Sequence, residues 1–332
     1  MWRQAGAQIT THRFIEHSQL LQTTFPDLIM IFSIILILLA CTEGNIDDKP
    51  NVDTYLSADL LPISDGECPD MSVSGETSSF SSSGVDRKVT IVFPQTMTEP
   101  AGVTFFFHGL MDPSSTPNPS QYMAENLDFQ DFADSENMVV ILPESGIWNM
   151  MGMEFFLWQI EDGTSEPDLI LYDDLRTCVV EHFNANRDRI VAGGFSGGSL
   201  FTTVVISERG NTLAAAVELS GGANFEVATF EEDFAKYRTP ESNFPVLLSD
   251  GGDSDVWPDP SFSIVDFQEG TEELAQNLIA DGHVVGRCQH NLGHTITMDI
   301  WDLALQWLSV HEYQKDYQLD DLSDWGCTVE GN

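Results

Sequence analysis

Short apolar runs alternate with longer amphipathic segments along most of the chain after residue 85. Val103–Phe107 and Met138–Leu142 are almost entirely apolar, which is typical of strands that are buried on both faces of a sheet. Between such runs, segments such as Asp168–Phe183 place apolar residues at helical spacing. Strands that alternate with helices in this way predict an α/β fold, with a mostly parallel central sheet and helices on both of its faces.

The same pattern gives approximate bounds for each element. The predicted strands are Lys88–Phe93, Val103–Phe107, Met138–Leu142, Arg189–Ala192, Leu213–Leu219, Pro245–Leu248 and His283–Gly286. The predicted helices are Gln121–Ser135, Asp168–Phe183, Ser199–Arg209, Phe267–Ala280 and Thr297–Val310. The chain contains no internal repeat, and we expect a single folded domain over residues 68–332.

An apolar run of 13 residues, Leu28–Ala40, precedes this domain and ends at Cys41. The run is too short to span a bilayer comfortably, but it has the length of a signal-peptide core. The ending Leu38-Leu39-Ala40-Cys41 resembles the bacterial lipobox, in which the cysteine carries a lipid. We therefore predict a lipoprotein signal peptide over residues 1–40, lipidation at Cys41 and export to the cell envelope. A cleaved peptide that yields a secreted or periplasmic protein and an uncleaved anchor are the alternatives.

Residues 41–67 are polar and acidic with little periodicity, which predicts a flexible tether ahead of the domain. The whole chain has a net charge of −40, from 13 Lys and Arg against 53 Asp and Glu. A surface of this sign repels phosphate backbones and anionic lipids, so we expect no nucleic-acid partner and no membrane contact beyond the lipid anchor.

Four cysteines remain besides Cys41, and none of them forms a C-x-x-C pair. This spacing gives no support to a zinc cluster or a redox motif. In an exported protein four cysteines predict two disulfides, which can connect in three ways. We favour a Cys68–Cys327 bond that joins the ends of the domain, together with a Cys178–Cys288 bond.

The strongest local signal in the chain is the pentad Gly194-Phe195-Ser196-Gly197-Gly198. It lies between a predicted strand and a predicted helix, where a G-x-S-x-G turn raises the serine hydroxyl above the edge of the sheet. The glycines allow the strand and helix backbones to approach closely. We therefore predict that Ser196 is a nucleophile.

A serine hydroxyl needs a base to take its proton and a carboxylate to hold that base. In this kind of site the acid and then the histidine follow the serine, on loops at the carboxyl ends of strands. His294 follows a strand and precedes the last helix, so we expect it to be the base, with His290 on the same loop as the alternative. Asp255 ends a G-x-x-D turn after a strand and is the expected acid, with Asp253 as the alternative. Unused aspartates of that loop would form solvated surface or a Ca²⁺ site.

The negative oxygen of a tetrahedral intermediate needs backbone N–H donors. We expect one donor from Gly197, directly after the nucleophile, and a second from Leu110 or Met111, in the loop after an early strand. His108 in the same loop is expected to orient that loop without taking part in the chemistry.

These motifs together resemble the secreted α/β-hydrolase esterases of the polyhydroxybutyrate-depolymerase and feruloyl-esterase type. The matching features are His108-Gly109, Asp173-Asp174-Leu175, Arg189–Gly198, Gly251–Asp255 and Gly293-His294, and the resemblance covers residues 85–312. The chain departs from the type at Gly197, where alanine or asparagine is common, and in a compressed acid loop. The resemblance implies the α/β-hydrolase fold and ester hydrolysis without a cofactor or metal, in which Ser196 is acylated and His294 transfers protons.

The segment Gly146–Gln159 is rich in Trp, Met and Phe, and it forms either core packing or a hydrophobic wall of the substrate cavity. Trp257 is expected to join that wall. We predict a monomeric serine esterase whose partner is its ester substrate, which could be a polyhydroxyalkanoate, a feruloyl ester or another ester. A peptidase or thioesterase on the same fold and a non-catalytic binding lipoprotein are the alternatives.

Overall fold

The computed structural model describes residues 55–97, 100–150, 152–226, 233–315 and 322–331. All of them belong to one compact unit, Asn51–Asn332. The predicted signal peptide, Cys41 and the first part of the predicted tether lie outside the described residues. In the described part of the chain, no helix is both long and apolar enough to cross a membrane.

Nine strands of the described chain form one sheet. They are β1 (Thr77–Ser82), β2 (Val85–Val92), β3 (Gly102–Phe107), β4 (Met138–Pro143), β7 (Ile190–Phe195), β8 (Ala215–Leu219), β9 (Val246–Asp250), β12 (Val285–Gln289) and β13 (Cys327–Glu330). Their order across the sheet is β1-β2-β4-β3-β7-β8-β9-β12-β13. Neighbours from β4 to β12 run parallel, whereas β1, β2 and β13 pair antiparallel at the two edges. The prediction of a mostly parallel central sheet is therefore confirmed.

Helices cover both faces of the sheet. They are α1 (Pro119–Asn126), α2 (Phe129–Glu136), α3 (Glu166–Phe183), α4 (Gly197–Arg209), α5 (Phe267–Ala280) and α6 (Met298–Val310). Successive residues of a strand face opposite sides, and β3 shows the result. Phe107 contacts Phe201 of α4 with ring centroids 4.9 Å apart, whereas Phe106 contacts Trp301 of α6 at 5.3 Å. The described core therefore has two large parts, one on each face of the sheet, and a smaller third cluster that includes Phe225 and Phe267.

The predicted helix Gln121–Ser135 is two helices in the structure. The break falls between α1 and α2, where Asp128 has a φ of +52°. A right-handed helix cannot continue through a residue in the left-handed region. The apolar periodicity crosses this break without interruption, so the pattern alone could not reveal it.

In the described part of the chain, two hairpins lie outside the central sheet, on the side where the parallel strands end. The first, β5 (Gly146–Met150) with β6 (Met153–Leu157), follows β4, and the second, β10 (Val256–Asp259) with β11 (Phe262–Asp266), follows β9. Both hairpins therefore stand at the edge where α/β sheets bind ligands.

The described end of the predicted tether, residues 55–65, is bound along α3 and is not free. Asp188 accepts a hydrogen bond from the N–H of Ser57 at 2.9 Å, and the guanidinium of Arg176 donates to the carbonyl oxygens of Ala58 and Asp59. The prediction of a flexible tether up to residue 67 is wrong for this part, because its backbone finds partners on buried charged groups. Acidic composition alone does not reveal such partners.

The two predicted disulfides are present, but their pairing differs from the prediction. Cys68 bonds to Cys178, and Cys288 bonds to Cys327. The bound segment before Cys68 brings that residue to the surface of α3, which carries Cys178. Strand β13 pairs antiparallel with β12 in a register that sets Cys327 opposite Cys288. The bound segment therefore explains the Cys68–Cys178 bond, and the register of β12 and β13 explains the Cys288–Cys327 bond.

Candidate active site

Ser196 occupies the sharp corner between β7 and α4. Its backbone has φ +57° and ψ −126°, a conformation that residues other than glycine rarely adopt. A Cβ added to Gly194 would lie 2.4 Å from the carbonyl carbon of Gly198, and a Cβ on Gly198 would lie 2.0 Å from the carbonyl oxygen of Phe107. Because all of these obstacles are backbone atoms, both positions require glycine, and the pentad forms the strained turn that its sequence predicts.

The structure brings Ser196, His294 and Asp255 into one hydrogen-bonded row. The Ser196 hydroxyl lies 2.8 Å from His294 Nε2, and His294 Nδ1 lies 2.7 Å from Asp255 Oδ1. The three residues follow β7, β12 and β9 respectively. These strands are parallel members of one sheet, so their carboxyl ends meet at the same edge, which explains how residues far apart in sequence become neighbours.

The Asp255 carboxylate is fully buried and well supplied with donors. Its Oδ2 accepts hydrogen bonds from the Ser220 hydroxyl and from the Gly251 N–H, both at 2.7 Å. Burial raises the pKa of Asp255, but the hydrogen bonds from His294, Gly251 and Ser220 outweigh burial and hold the pKa below its ordinary value. The group therefore stays ionised at neutral pH and can stabilise a positive charge on His294.

The alternative candidates lie elsewhere. Asp253 is exposed on a short 3₁₀ turn. The His290 ring accepts a hydrogen bond from the N–H of Leu292, two residues further along the loop. Neither Asp253 nor His290 forms a hydrogen bond with Ser196 or His294. Among the described residues, no group of three or more His, Cys, Asp and Glu side chains is arranged to hold a metal ion.

The amides expected to bind the oxyanion lie side by side. Gly197 is the first residue of α4, where the helix dipole favours negative charge. A Cβ on Gly197 would lie 3.4 Å from the backbone nitrogen of Leu110, so the two residues are neighbours. The N–H of Met111 donates to the carbonyl oxygen of Phe156 at 3.3 Å. This bond leaves Leu110, and not Met111, as the second candidate donor.

His108 fixes the loop that carries Leu110. Its buried ring lies with Nδ1 2.6 Å from the carbonyl oxygen of Gly109, and its Nε2 accepts the N–H of Ser145 at 3.1 Å. Burial lowers the pKa of His108 to about 4, so the ring is neutral at physiological pH. A neutral ring with its proton on Nδ1 satisfies both contacts, which agrees with the orienting role expected from the sequence.

A cavity of about 320 Å³ opens beside Ser196 and Gly197. Both hairpins contribute to its walls, and most of the lining is apolar. Besides Ser196 and Gly197, the lining residues include Leu110, Trp148, Leu157, Trp158, Leu200, Phe234, Trp257, Ile264, Val265 and Phe267. Part of the Trp- and Phe-rich segment therefore forms the expected wall, and Trp257 joins it. Glu161 is the one charged group among the described lining residues.

Sequence reasoning missed several residues around this site. The hydroxyl of Ser220 on Asp255 and the rings of Phe195 and Phe267 on His294 were not expected. The run Ser220-Gly221-Gly222 after a predicted strand was a usable signal, because polar residues at a strand's carboxyl end commonly serve a site. No local pattern marks Phe267, which looks like the first core residue of a helix.

The sheet order, the strained turn at Ser196 and the placement of the three polar residues define an α/β-hydrolase fold. The predicted fold class is therefore confirmed. No family model matches the chain.

Solved structures with the same fold include native pOPH and native sOPH. Native pOPH has a TM-score of 0.59 at 18% sequence identity, and the match covers 80% of this chain and 97% of that one. Native sOPH has a TM-score of 0.57 at 16% identity, covering 80% of this chain and 98% of that one. At these identities the likeness shows the fold.

A curated relative also matches part of the sequence. It is a bifunctional acetylxylan esterase/xylanase from Neocallimastix patriciarum, 25% identical over 166 residues. The match covers 49% of this chain and 22% of the relative, so this chain spans about a fifth of that protein's length. The similarity to an esterase agrees with the family resemblance found in the motifs.

Proposed function

We propose that this chain is a serine hydrolase that cleaves carboxylic ester bonds. The observation that carries the proposal is the unbroken row of hydrogen bonds from Ser196 through His294 to Asp255, at 2.8 and 2.7 Å. The strained backbone at the serine and the adjacent amides of Gly197 and Leu110 complete the requirements for acyl transfer. The esterase relative supports the same reaction class.

In the first half of the reaction Ser196 Oγ attacks the ester carbonyl carbon while His294 Nε2 takes the hydroxyl proton. The carbonyl oxygen becomes negative, and the N–H groups of Gly197 and Leu110 donate hydrogen bonds to it. His294 then gives its proton to the departing alcohol as the carbon–oxygen bond breaks. The acyl group remains on Ser196. While His294 holds the proton, the charged Asp255 stabilises the imidazolium ion.

Water completes the cycle by the same route. His294 Nε2 takes a proton from a water molecule whose oxygen attacks the acyl carbon, and the same amides hold the second oxyanion. When the tetrahedral intermediate collapses, the proton returns to Ser196 Oγ and the carboxylic acid leaves. Atoms and charges balance with water as the only co-reactant, so the site needs no cofactor for these steps.

The cavity supports neutral, largely apolar ester substrates. Its lining is mostly aromatic and aliphatic, and Glu161, the one charged group among the described lining residues, is negative. A carboxylate in such a wall repels a negatively charged group on the substrate. Polyhydroxyalkanoate, feruloyl and other small or polymeric esters remain the proposed class, and the relative adds acetylated xylan to it.

We also propose that the protein is exported as a monomer and held to the cell envelope by a lipid on Cys41. Two disulfides support folding in an oxidising compartment. Labelling with radioactive palmitate should therefore be lost in the Cys41→Ser variant of the full chain. Label that survives this substitution would remove the lipid anchor from the proposal.

The variant Ser196→Ala tests the enzymatic proposal, with Ser135→Ala on the exposed face of α2 as its matched control. A panel of short p-nitrophenyl esters, a thioester and a peptide amide is offered to each protein. We expect Ser196→Ala to lose all ester hydrolysis with an unchanged melting temperature, while Ser135→Ala retains it. Equal activity in the two variants would refute the assignment, and hydrolysis of the amide or thioester alone would indicate a peptidase or thioesterase.

A further inference from the structure

The imidazole of His294 lies between two phenyl rings. Phe267 stacks on one side with its ring centroid 4.4 Å away and an interplanar angle of 15°, and Phe195 stacks at 4.9 Å and 25°. Both angles are close to parallel, and both distances are those of stacked aromatic pairs. The two rings therefore enclose the imidazole.

Each ring is attached to an element that also holds another member of the row. Phe195 is the last residue of β7 and directly precedes Ser196. Phe267 is the first residue of α5, and its backbone N–H donates to the carbonyl oxygen of Asp255 at 2.9 Å. A shift of either ring relative to His294 would therefore require a shift of the serine turn or of the acid loop.

The two hydrogen bonds of His294 do not fix its orientation completely. They act at Nε2 and Nδ1, so they hold the ring along the axis through those atoms and leave rotation about that axis less restrained. The His294 side chain is 22% exposed, so the protein does not cover it completely. Rings on both sides block this rotation, and their negative faces attract the positive charge that the imidazole gains during catalysis.

We propose that Phe195 and Phe267 are positioning residues that hold the His294 ring in line between Ser196 and Asp255. The inference rests on the proposed function, because it assigns His294 the role of base. Phe267 also lines the cavity beside Ser196, so its ring contacts both the base and the space for the substrate. One side chain thus joins the acid loop, the base and the substrate cavity.

Ordinary core packing is the competing explanation. Phe267 is 2% exposed and packs with Phe225 at the edge of a small hydrophobic cluster, their ring centroids 6.4 Å apart. If Phe267 served only this cluster, replacing either phenylalanine would lower stability without a specific loss of turnover. Phe225 contacts the ring of Phe267 but does not stack on His294, and Phe225→Leu is therefore the matched control.

The experiment compares Phe267→Leu, Phe195→Leu, Phe267→Tyr and Phe225→Leu with the unmodified chain. Three quantities are measured for each: kcat and KM for a p-nitrophenyl ester, the rate at which a fluorophosphonate labels Ser196, and the melting temperature. Leucine keeps part of the bulk but removes the aromatic face. In Phe267→Leu and Phe195→Leu, kcat and the labelling rate should therefore fall about tenfold, with KM nearly unchanged. Phe267→Tyr keeps the face and should retain both rates within about threefold.

The control decides between the two explanations. Phe225→Leu should lose a similar amount of thermal stability and keep kcat within about twofold. Equal losses of kcat in Phe225→Leu and Phe267→Leu would overturn the proposal. Full activity in both Phe195→Leu and Phe267→Leu would also overturn it. An unmodified chain that neither hydrolyses esters nor reacts with the fluorophosphonate would instead refute the proposed function itself.

Discussion

The hydroxyl of Ser220 donates a hydrogen bond to Asp255 Oδ2 at 2.7 Å, on the opposite side of the carboxylate from His294. The N–H of Gly251 reaches the same oxygen at 2.7 Å. Two donors therefore hold Oδ2, while Oδ1 is left to accept the proton of the imidazole. Ser220 follows β8, which lies in the sheet between β7 and β9, the strands that precede Ser196 and Asp255. The sheet order therefore brings the Ser220 hydroxyl to Asp255 as a third donor, besides His294 and Gly251.

This arrangement predicts a specific failure in Asp255→Asn. The two donors at Oδ2 require an oxygen there, so the asparagine must turn its amide nitrogen toward Nδ1 of His294. That nitrogen donates a proton, which forces the imidazole to carry its own proton on Nε2 and leaves no base facing Ser196. We expect kcat to fall by about 10⁴-fold, the loss known for the same change in a serine protease. Steady-state kinetics on a p-nitrophenyl ester measure this fall.

The matched control is Asp253→Asn, on the same loop but exposed. It should retain kcat within about twofold, because its exposed side chain forms no hydrogen bond with Ser196, His294 or Asp255. If Asp253→Asn lost as much as Asp255→Asn, or if Asp255→Asn kept its activity, the acid would have to be reassigned.

The glycines of the serine turn should differ sharply in their tolerance of alanine. A Cβ on Gly198 would lie 2.0 Å from the carbonyl oxygen of Phe107, whereas a Cβ on Gly197 meets nothing closer than the Leu110 nitrogen at 3.4 Å. Gly198→Ala should destabilise the fold by about 3 kcal/mol or more, because backbone atoms cannot yield as side chains do. Gly197→Ala should keep its melting temperature within a few degrees. Thermal unfolding of the two proteins measures this contrast, and equal melting temperatures would contradict it.

The elements and the first-choice site residues could be predicted because their signals are local. The turn around Ser196 carries its own glycines, and the loops of His294 and Asp255 follow recognisable strands. Asp255 and Asp253 differ only through the path of one loop, which buries the first carboxylate beside His294 and exposes the second.

The features that could not be predicted depend on register or on distant packing. Cys288 faces Cys327 because β13 pairs with β12 in one particular register, and no spacing in the sequence encodes that register. The stacking of Phe267 on His294 joins the start of one helix to the loop before another. Such a contact requires the whole fold to be in place.

Charge in the cavity gives a prediction about substrate preference. Glu161 is the one charged side chain among the described lining residues, and the others are neutral. In Glu161→Lys, a positive charge replaces a negative one, so kcat/KM for an ester with a carboxylate in its acyl chain should rise several-fold relative to a neutral ester of equal length. Kinetics on such a matched pair of p-nitrophenyl esters measure the ratio.

Glu154→Lys provides the control, because Glu154 is exposed on β6 and does not line the cavity. It introduces the same change of net charge, so a general attraction of anions would raise the ratio equally in both proteins. That outcome would show that the cavity does not select on charge through Glu161.

Glu218 should make the stability of the protein depend on pH. Its buried carboxyl on β8 lies 2.8 Å from the hydroxyl of Thr203, which also contacts the carbonyl oxygen of Gly222 at 2.8 Å. That hydroxyl has a single proton, and if it donates to Gly222, then Glu218 must be protonated in order to donate to Thr203. Burial raises the pKa of Glu218 to about 8, which agrees with a neutral carboxyl.

In the unfolded chain the same carboxyl ionises near its ordinary pKa of 4.5. Between pH 4.5 and 8 the unfolded state therefore binds fewer protons than the folded state, and the free energy of unfolding falls as pH rises through that window. Glu218→Gln cannot ionise, yet its amide can donate to Thr203 and its oxygen can accept the N–H of Gly222. It should match the unmodified protein near pH 4.5 and exceed it by a few kcal/mol at pH 8.5, at about 1.4 kcal/mol for each pKa unit.

Urea unfolding of both proteins at pH 4.5, 6.5 and 8.5 measures this difference directly. The comparison cancels the repulsion among the many surface carboxylates, because both proteins share it. Glu136→Gln, at an exposed position of α2, controls for the loss of one glutamate and should give a stability curve parallel to that of the unmodified protein. If the curve of Glu218→Gln is also parallel, then Glu218 is ionised in the folded state, and Thr203 must donate its proton to Glu218 instead of Gly222.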